Sequence, residues 1–326
     1  MVTSTVVRTH SVTPFSQNTI FFGTGSGYNN SLEAFWEGVR LYHRFVPKIV
    51  DARGQGSNYL SKSGNGSFTF QNTIWMPNMG PDQLDNFTAP HLAELRAAGI
   101  SLDYTPGAQV MDYAKNLKTP PPGLGGFANN ALLSSRLWPR HNFRDETLLK
   151  ASINAIRRTV EAGYSFHSNN YAPNNAVQGR PNNAVNTAFK YTVGHASMFD
   201  KEPGTGSPAE IKANYDKFQE VFQGWRDVTP TAGCYMNEAS VMEPNFQWAF
   251  YGQNYPRLQQ IKRNRDPWGL FYVTTGVGSE YWEVRTPVAG LNSQDGKLCR
   301  LARPSSTWSD PSNGQITRRT KRNNVP

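Results

Sequence analysis

The sequence has few cysteines and no long apolar run, and both absences narrow the class of protein. Two cysteines in 326 residues, Cys234 and Cys299, are too few for a disulfide scaffold, and one bridge or two free thiols both fit the sequence. No apolar run reaches the roughly 18 residues that a membrane-spanning helix needs. The N-terminus lacks the basic start and apolar core of a secretory signal, so no signal peptide and no membrane partner are predicted here.

Charged residues are also scarce, at 17%, and the excess of positive charge is concentrated at one end. The net charge is +9, and residues 303–326 contain five cations and one acid. A basic tail can contact nucleic acid, but this one lacks interleaved aromatic residues or a recognised nucleic-acid-binding motif. We therefore interpret residues 303–326 as a solvated, disordered extension and expect no nucleic-acid partner.

The third absence is a glycine-rich phosphate loop placed between a strand and a helix. The run Gly23–Gly27 precedes asparagine and serine and reads as a plain turn. No cluster of residues has metal-ligand spacing, so we predict no metal site. The chain is long enough for one large domain or two modest ones with a real core.

Hydrophobic periodicity predicts alternating helices and strands in the first third of the chain. A helix is expected over Asn30–Val46, with Asn30 and Glu33 in a capping box and Pro47 just beyond its end. A strand pair is expected within Tyr59–Pro77, because Asn65 lies between glycines in a turn signal. A second helix over 80–98, interrupted at proline 90, and a strand over 100–104 follow.

The middle of the chain continues the same alternation. An amphipathic helix is predicted over Arg144–Ala162, a strand over Tyr164–His167, a further strand reaching His195 and a helix over Ser207–Val228. Helices and strands in this order favour an α+β fold, in which an antiparallel sheet has helices packed on one face.

The densest aromatic stretch is Gly233–Trp282, and it carries the most informative spacing. If the small apolar run before Tyr235 is a strand, Tyr235 and Asn237 share one face, because side chains alternate along a strand. Two short helices are expected after it, the first ending at Gly252 and the second capped by Asn254. The segment 270–273 looks strand-like.

Several short motifs in this stretch resemble one family. In order they are Tyr-x-Asn-Glu, Glu-Pro-Asn-Phe-Gln-Trp, Tyr-Gly-x-Asn-Tyr-x-Arg-Leu, Ile-Lys, Asp-Pro-x-x-Leu-Phe and Gly-Val-Gly-Ser-Glu-x-Trp. Together they resemble the C-terminal segment of fungal FAD-linked oxidases of the berberine bridge enzyme-like group, within the vanillyl-alcohol oxidase superfamily. Asn182–Lys190 also resembles a family stretch, although Thr187, Phe189 and Lys190 replace its usual proline, tryptophan and arginine.

The resemblance implies a domain organisation. Residues 1–230 would be the substrate-type α+β domain, entered through Thr3–His10 as the last strand of a flavin-binding domain that is missing from this chain. Residues 231–302 would be the berberine-like C-terminal segment, which packs on the flavin domain in relatives, and 303–326 would be the tail. Without that domain, we expect an exposed apolar patch near Tyr235, Trp248 and Trp268.

The resemblance also implies a chemistry. In relatives a hydride passes from a substrate carbon to N5 of FAD, and molecular oxygen reoxidises the flavin to give hydrogen peroxide. Tyr235 would then be the catalytic base, although a tyrosine, with an ordinary pKa of about 10, needs nearby donors or cations for that role. Asn237 would contact the cofactor or the substrate. Asn186 and His195 are candidate substrate-pocket residues, with an ordinary structural role as the alternative for each.

Two functions follow from these expectations. The first is oxidation of a small molecule (an alcohol, a sugar or a secondary metabolite) by an FAD-dependent enzyme of which this chain is a fragment. The alternative is a catalytically inactive fragment or binding module that cannot hold FAD by itself. Relatives are mostly exported, and three Asn-x-Ser/Thr sequons agree weakly with an extracellular location.

Overall fold

The computed structural model describes residues 3–7, 15–25, 27–110, 132–173, 183–200, 206–285 and 296–311. The strands are β1 Phe15–Gly25, β2 Tyr28–Asn29, β3 Gln55–Lys62, β4 Phe68–Pro77, β5 Asp103–Val110, β6 Leu132–Pro139, β7 Ser165–Asn170, β8 Thr192–Asp200, β9 Trp282–Arg285 and β10 Lys297–Arg300. The helices are α1 Leu32–Asp51, α2 Pro81–Ala97, α3 His141–Arg144, α4 Glu146–Glu161, α5 Pro208–Val228, α6 Phe246–Tyr251 and α7 Tyr255–Arg265.

Eight strands form one antiparallel sheet in the order β2-β1-β4-β3-β7-β8-β6, with β5 paired to the other side of β1. Along β3, β4 and β7, buried and more exposed residues alternate, and the buried set faces α1, α2, α4 and α5. The predicted α+β class, an antiparallel sheet with helices on one face, is confirmed. The second face of the sheet is therefore left for other contacts.

Helix α1 begins and ends later than its sequence pattern predicted. Ser31, not Asn30, is the N-cap, and its hydroxyl accepts a hydrogen bond from the amide of Ala34. The Asn30 side chain instead donates to the carbonyls of Gly23 and Ser101 and so ties β1 to the start of β5. Pro47 lies inside the helix, because burial of the last turn against the core outweighs one lost hydrogen bond.

Helix α2 runs unbroken through Pro90, where the sequence predicted an interruption. Leu84, Leu92 and Leu95 on either side of the proline are buried in the same core. Their packing holds the helix together across the missing amide hydrogen. In both helices the tertiary contacts overrode a local signal that would end an isolated helix.

A network of buried polar side chains crosses the centre of the sheet. The hydroxyl of Tyr42 on α1 donates to the Asn170 side chain at 2.7 Å and accepts from Asn72 at 2.6 Å. Asn58 also donates to Asn170, at 3.0 Å. Since a register shift of one residue would leave these amides unpaired in the core, the network helps to specify the pairing of β3, β4 and β7.

Two predicted strands are wrong. Residues 3–7 form no strand, and Val6 and Val7 are largely exposed, because β-branched residues do not form a strand without a partner to pair with. The rest of that predicted strand, 8–10, lies outside the described residues. Residues 270–273 also form no strand. Conversely, no sequence pattern predicted β1 or β6.

The C-terminal segment builds a second, smaller core. Cys234, Phe246, Phe250 and Tyr255 form it, and Trp308 packs against it. The Trp308 indole donates to the carbonyl of Gly252 at 3.1 Å. Residues 303–311, expected to begin a disordered tail, thus lie against this core because they supply an aromatic anchor. The remainder of that tail, 312–326, lies outside the described residues.

One stretch of this segment exposes large apolar side chains. Trp268, Leu270 and Phe271 are each more than three-quarters exposed, and Val273 is more than half exposed. Trp248, which we expected nearby, is buried and donates to the carbonyl of Thr231 at 3.3 Å. The exposed apolar side chains therefore centre on residues 268–273 and do not include Trp248, while Met236 next to Tyr235 is 45% exposed.

Candidate functional site

The chain segment that carries Tyr235 lies along the edge of the large sheet. The Leu137 amide of β6 donates to the carbonyl of Gly233 at 2.8 Å, and the Cys234 amide donates to the carbonyl of Ala249 at 2.6 Å. The segment then forms a single 3₁₀ turn, Met236–Glu238, rather than the continued strand that the sequence predicted. These bonds fix the position of Tyr235 against β8.

Tyr235 and Asn237 are close together, though for a different reason than strand alternation. The turn brings the Asn237 amide to within 3.0 Å of the Tyr235 hydroxyl, to which it donates. Asn237 is exposed and Tyr235 is partly buried, and the carbonyl oxygen of the Asn237 side chain bonds to no described residue. The pair thus presents a hydroxyl and a free amide acceptor together.

His195 on β8 is the buried neighbour of Tyr235. Their rings meet edge to face with centroids 5.4 Å apart, and His195 is only 4% exposed. Burial, with a smaller contribution from His167, lowers the pKa of His195 to about 4, so the ring is neutral near pH 7. Its Nε2 makes no hydrogen bond within the described residues, and an unpaired buried nitrogen beside a candidate site can serve a ligand.

Glu238 borders the same space. One of its carboxylate oxygens lies 3.8 Å from His195 Nε2, too far for a direct hydrogen bond. Burial raises the pKa of Glu238 above its ordinary value. The pKa of Tyr171 is raised to about 12 by burial and by the charges of Glu238 and Tyr235. Glu238 and Tyr171 thus add a carboxylate and a second phenol to the site. The sequence motifs predicted no role for either residue.

The second sheet face continues the site beyond His195. Tyr59 stacks on His167 with ring centroids 4.1 Å apart, and His167 Nε2 lies 3.1 Å from the Ser57 hydroxyl. The β3–β7–β8 register places Tyr59, His167 and His195 on one face. Burial lowers the pKa of His167 to about 4. Strand alternation in β3 and β7 was the signal that could have located this aromatic pair.

Asn186 holds a turn in place. Its amide nitrogen donates to the Ala249 carbonyl at 2.7 Å, and its oxygen accepts from the Ala188 amide at 3.0 Å. The turn it begins carries Phe189, whose ring centroid lies 6.0 Å from that of Tyr235. Asn186 therefore supports a wall of the site, and its direct contact with substrate stays a prediction.

A buried ionic cluster anchors the segment just before Tyr235. The Arg226 guanidinium donates to both Glu243 oxygens at 2.9–3.2 Å, and Arg136 lies 3.8 Å from the same carboxylate. Arg136 also donates to the Thr229 carbonyl at 2.7 Å and lies 3.6 Å from the Cys234 sulfur. The cluster ties α5, β6 and the Tyr235 segment together, and no local sequence pattern predicted it.

The two cysteines are both free thiols. Cys234 is buried, and burial raises its pKa to about 12, which makes it unreactive. Within the residues that the structure describes, no group of three or more His, Cys, Asp or Glu side chains could hold a metal ion. None of the helices in that part of the chain combines the length and apolarity required for crossing a membrane.

Comparison with known proteins shows that this segment matches a family model. The family described as berberine and berberine like matches residues 234–278, which contain Tyr235, Asn237 and Glu238. The VAO-type flavoprotein oxidase VAO615 of Thermothelomyces thermophilus is 30% identical over 85% of this chain and 47% of its own length. The FAD-linked oxidoreductase patO of Aspergillus clavatus is 27% identical over 84% of this chain and 46% of its own length.

Solved structures agree with the sequence matches. The VAO-type flavoprotein MtVAO615 of Myceliophthora thermophila superposes with a TM-score of 0.67 and 25% identity, over 88% of this chain and 50% of that protein. MtVAO713 from the same organism shares the fold with a TM-score of 0.68. The chain spans about half the length of the relatives that it matches. Over most of its own length it is thus homologous to the VAO-type, berberine bridge enzyme-like FAD-linked oxidoreductases.

Proposed function

We propose that this chain supplies the substrate side of an FAD-dependent oxidation of a small hydroxylated molecule, with molecular oxygen as the final electron acceptor. The observation that carries the proposal is the grouping of Tyr235, Asn237, His195 and Glu238 on the sheet face opposite the helices. This grouping lies within or against the segment that matches the family. The substrate classes remain an alcohol, a sugar or a secondary metabolite.

One residue of the site, Asn237, offers a side-chain contact for a flavin. The free carbonyl oxygen of the Asn237 side chain is exposed and could accept a hydrogen bond from the ring of FAD, while its nitrogen stays bound to Tyr235. FAD, when bound, supplies the acceptor for the hydride. Asn237 would thereby set the position of the Tyr235 hydroxyl relative to the cofactor.

The remaining roles follow from protonation and geometry. Tyr235, as the phenolate, would take the proton of the substrate hydroxyl, as the family resemblance suggests. Neutral His195, with its proton on the unpaired Nε2, would donate a hydrogen bond to the oxygen of that hydroxyl, and the Glu238 carboxylate lies 3.8 Å from the same nitrogen. Phe189 and the stacked Tyr59–His167 pair would exclude water and contact the apolar parts of the substrate.

A binding module is the second candidate function, and one observation favours it. Trp268, Leu270 and Phe271 expose apolar surface of the kind that partners cover. In this alternative the chain holds no FAD alone. Export from the cell, expected from the resemblance, stays a prediction in either case.

Absorption spectroscopy separates the two candidates. The purified chain is mixed with FAD and desalted, and its visible spectrum is recorded. A retained flavin band with stoichiometry near one is expected for an oxidase able to act alone. A colourless protein would leave the binding module as the better description of this chain.

If the band is retained, we expect Tyr235→Phe to lower the turnover of the accepted substrate about 100-fold or more, because a positioned proton acceptor contributes that much. Flavin content should stay the same, since Asn237 keeps its exposed oxygen. Tyr215→Phe is the matched control, because the Tyr215 hydroxyl on α5 bonds to no described residue. Turnover of Tyr235→Phe equal to that of the control would remove Tyr235 from the mechanism.

A further inference from the structure

An open cleft lies at the end of the turn that carries Phe189, beside Lys190 and Tyr191. It has a volume of ≈ 540 Å³ and is lined by Arg140, His141, Arg144, Asp145, Lys190 and Tyr191. The residues that follow β6 form one wall, and the residues that precede β8 form the other. The Arg140 amide donates to the Tyr191 carbonyl at 3.0 Å, so a backbone hydrogen bond joins the two walls.

Positive charge in this cleft exceeds the negative charge available to neutralise it. Asp51 at the end of α1 accepts from Arg140 at 2.7 Å and from Arg144 at 3.3 Å, so two guanidiniums share one carboxylate. Asp145 is the N-cap of α4 and accepts from the Leu148 amide at 2.9 Å. A carboxylate already bound to a helix N-terminus has less capacity for another cation.

The positive charge of Lys190 is not neutralised by a described residue. Lys190 makes no ion pair with any residue that the structure describes, and its side chain is only partly exposed beside the cleft. Arg140 uses one of its terminal nitrogens on Asp51, and its side chain forms no other bond in the described ranges. Donors of Lys190 and Arg140 therefore remain for an anion between the two walls.

The cleft also presents an exposed aromatic ring. Tyr191 is 68% exposed and stacks on no other ring in the described part of the chain. A guanidinium can bind a carboxylate or a phosphate through two donors, and an exposed tyrosine ring offers a face for stacking. The volume is large enough for a group bigger than an inorganic ion.

We propose that this cleft binds a small molecule in which a phosphate ester or a carboxylate is carried on a flat ring. The oxyanion would lie between Lys190 and Arg140, with Arg144 at the rim, and the ring would lie on Tyr191. This inference does not depend on the proposed oxidation, since none of these side chains belongs to the Tyr235 group.

Calorimetric titration of the 326-residue chain at low salt tests the proposal. We expect saturable binding of phenyl phosphate, weaker binding of inorganic phosphate and none of phenol. Benzoate in place of phenyl phosphate decides between a phosphate and a carboxylate ligand. Affinity should fall as salt is raised, because the cleft is open to solvent.

A pair of lysine variants makes the test specific. Lys190→Gln should weaken phenyl phosphate binding about tenfold or more, the usual value of a hydrogen bond to a charged group. Lys217→Gln, on the exposed face of α5, should bind as the unchanged protein does. Both variants should melt as the unchanged protein does, because neither lysine is ion-paired with a described residue.

Three results would overturn the proposal. The first is no saturable binding of phenyl phosphate or benzoate at millimolar concentration. The second is binding of phenol as tight as that of phenyl phosphate. The third is Lys190→Gln and Lys217→Gln titrating alike.

Discussion

Replacing Glu243 by alanine is expected to destabilise the protein by about 3–5 kcal/mol, the usual cost of leaving a buried charge without its partner. Glu243 and Arg136 are each 4% exposed at the side chain, and Arg226 is 11% exposed. Removing the carboxylate leaves two buried guanidiniums facing each other across an empty space. The same change removes one of the groups beside Arg136, whose guanidinium contacts the Cys234 sulfur next to Tyr235.

Urea denaturation followed by circular dichroism measures this effect. Glu220→Ala is the matched control, since Glu220 is exposed on α5, the helix that carries Arg226, and forms no ion pair with a described residue. Its free energy of unfolding should change by less than about 0.5 kcal/mol. If Glu243→Ala loses no more stability than Glu220→Ala, the cluster does not anchor the site.

Lowering the pH from 7 to 4 is expected to destabilise the fold by about 3 kcal/mol for each of two core histidines. Burial lowers the pKa of His43 and of His91 to about 4, from an ordinary value of 6.5. His43 contacts the Val39 carbonyl through Nδ1 and leaves Nε2 unpaired, and His91 leaves both ring nitrogens unpaired. Among the described residues, neither ring has an acceptor for a second proton.

The direction of this pH effect depends on whether the folded or the unfolded chain binds more protons. Below pH 6.5 the unfolded chain protonates these rings while the folded chain does not, so stability is complete above pH 6.5 and is lost as pH falls toward 4. Below pH 4 these two groups add no further loss. His167 and His195 have the same lowered pKa and add to the measured dependence, so His91→Leu should remove about a quarter of the histidine contribution. His141→Gln, on an exposed residue, should leave it unchanged. A free energy of unfolding that is flat between pH 7 and 4 would contradict the assignment.

Periodicity predicted the elements whose signals are local. Helices α4 and α5 and the β3–β4 hairpin follow from apolar spacing and a turn around Asn65. The interruptions expected at Pro47 and Pro90 did not occur, because the core packed against both helices outweighs one hydrogen bond in each. Strand β6 has no alternation to detect, since most of its residues are buried on both faces.

The candidate site was only partly predictable for the same reason. The family motif pointed to Tyr235 and Asn237, and the structure brings them together through a turn that strand alternation did not foresee. The contact between Glu238 and His195 joins segments that lie some forty residues apart in the sequence. Arg136 meets Glu243 across a still longer separation. Such contacts are set by the tertiary fold, and one sequence carries no local trace of them.

The sheet order has a consequence for synthesis on the ribosome. Strand β3 pairs with β7, and Ser57 contacts His167 across 110 positions of chain. The β3–β4 hairpin can form early, yet one edge of β3 stays unpaired until β7 has been translated, and the stacked Tyr59–His167 pair forms only then. During that interval the nascent chain presents an open edge strand to other chains, which makes it a substrate for chaperones and a point of aggregation.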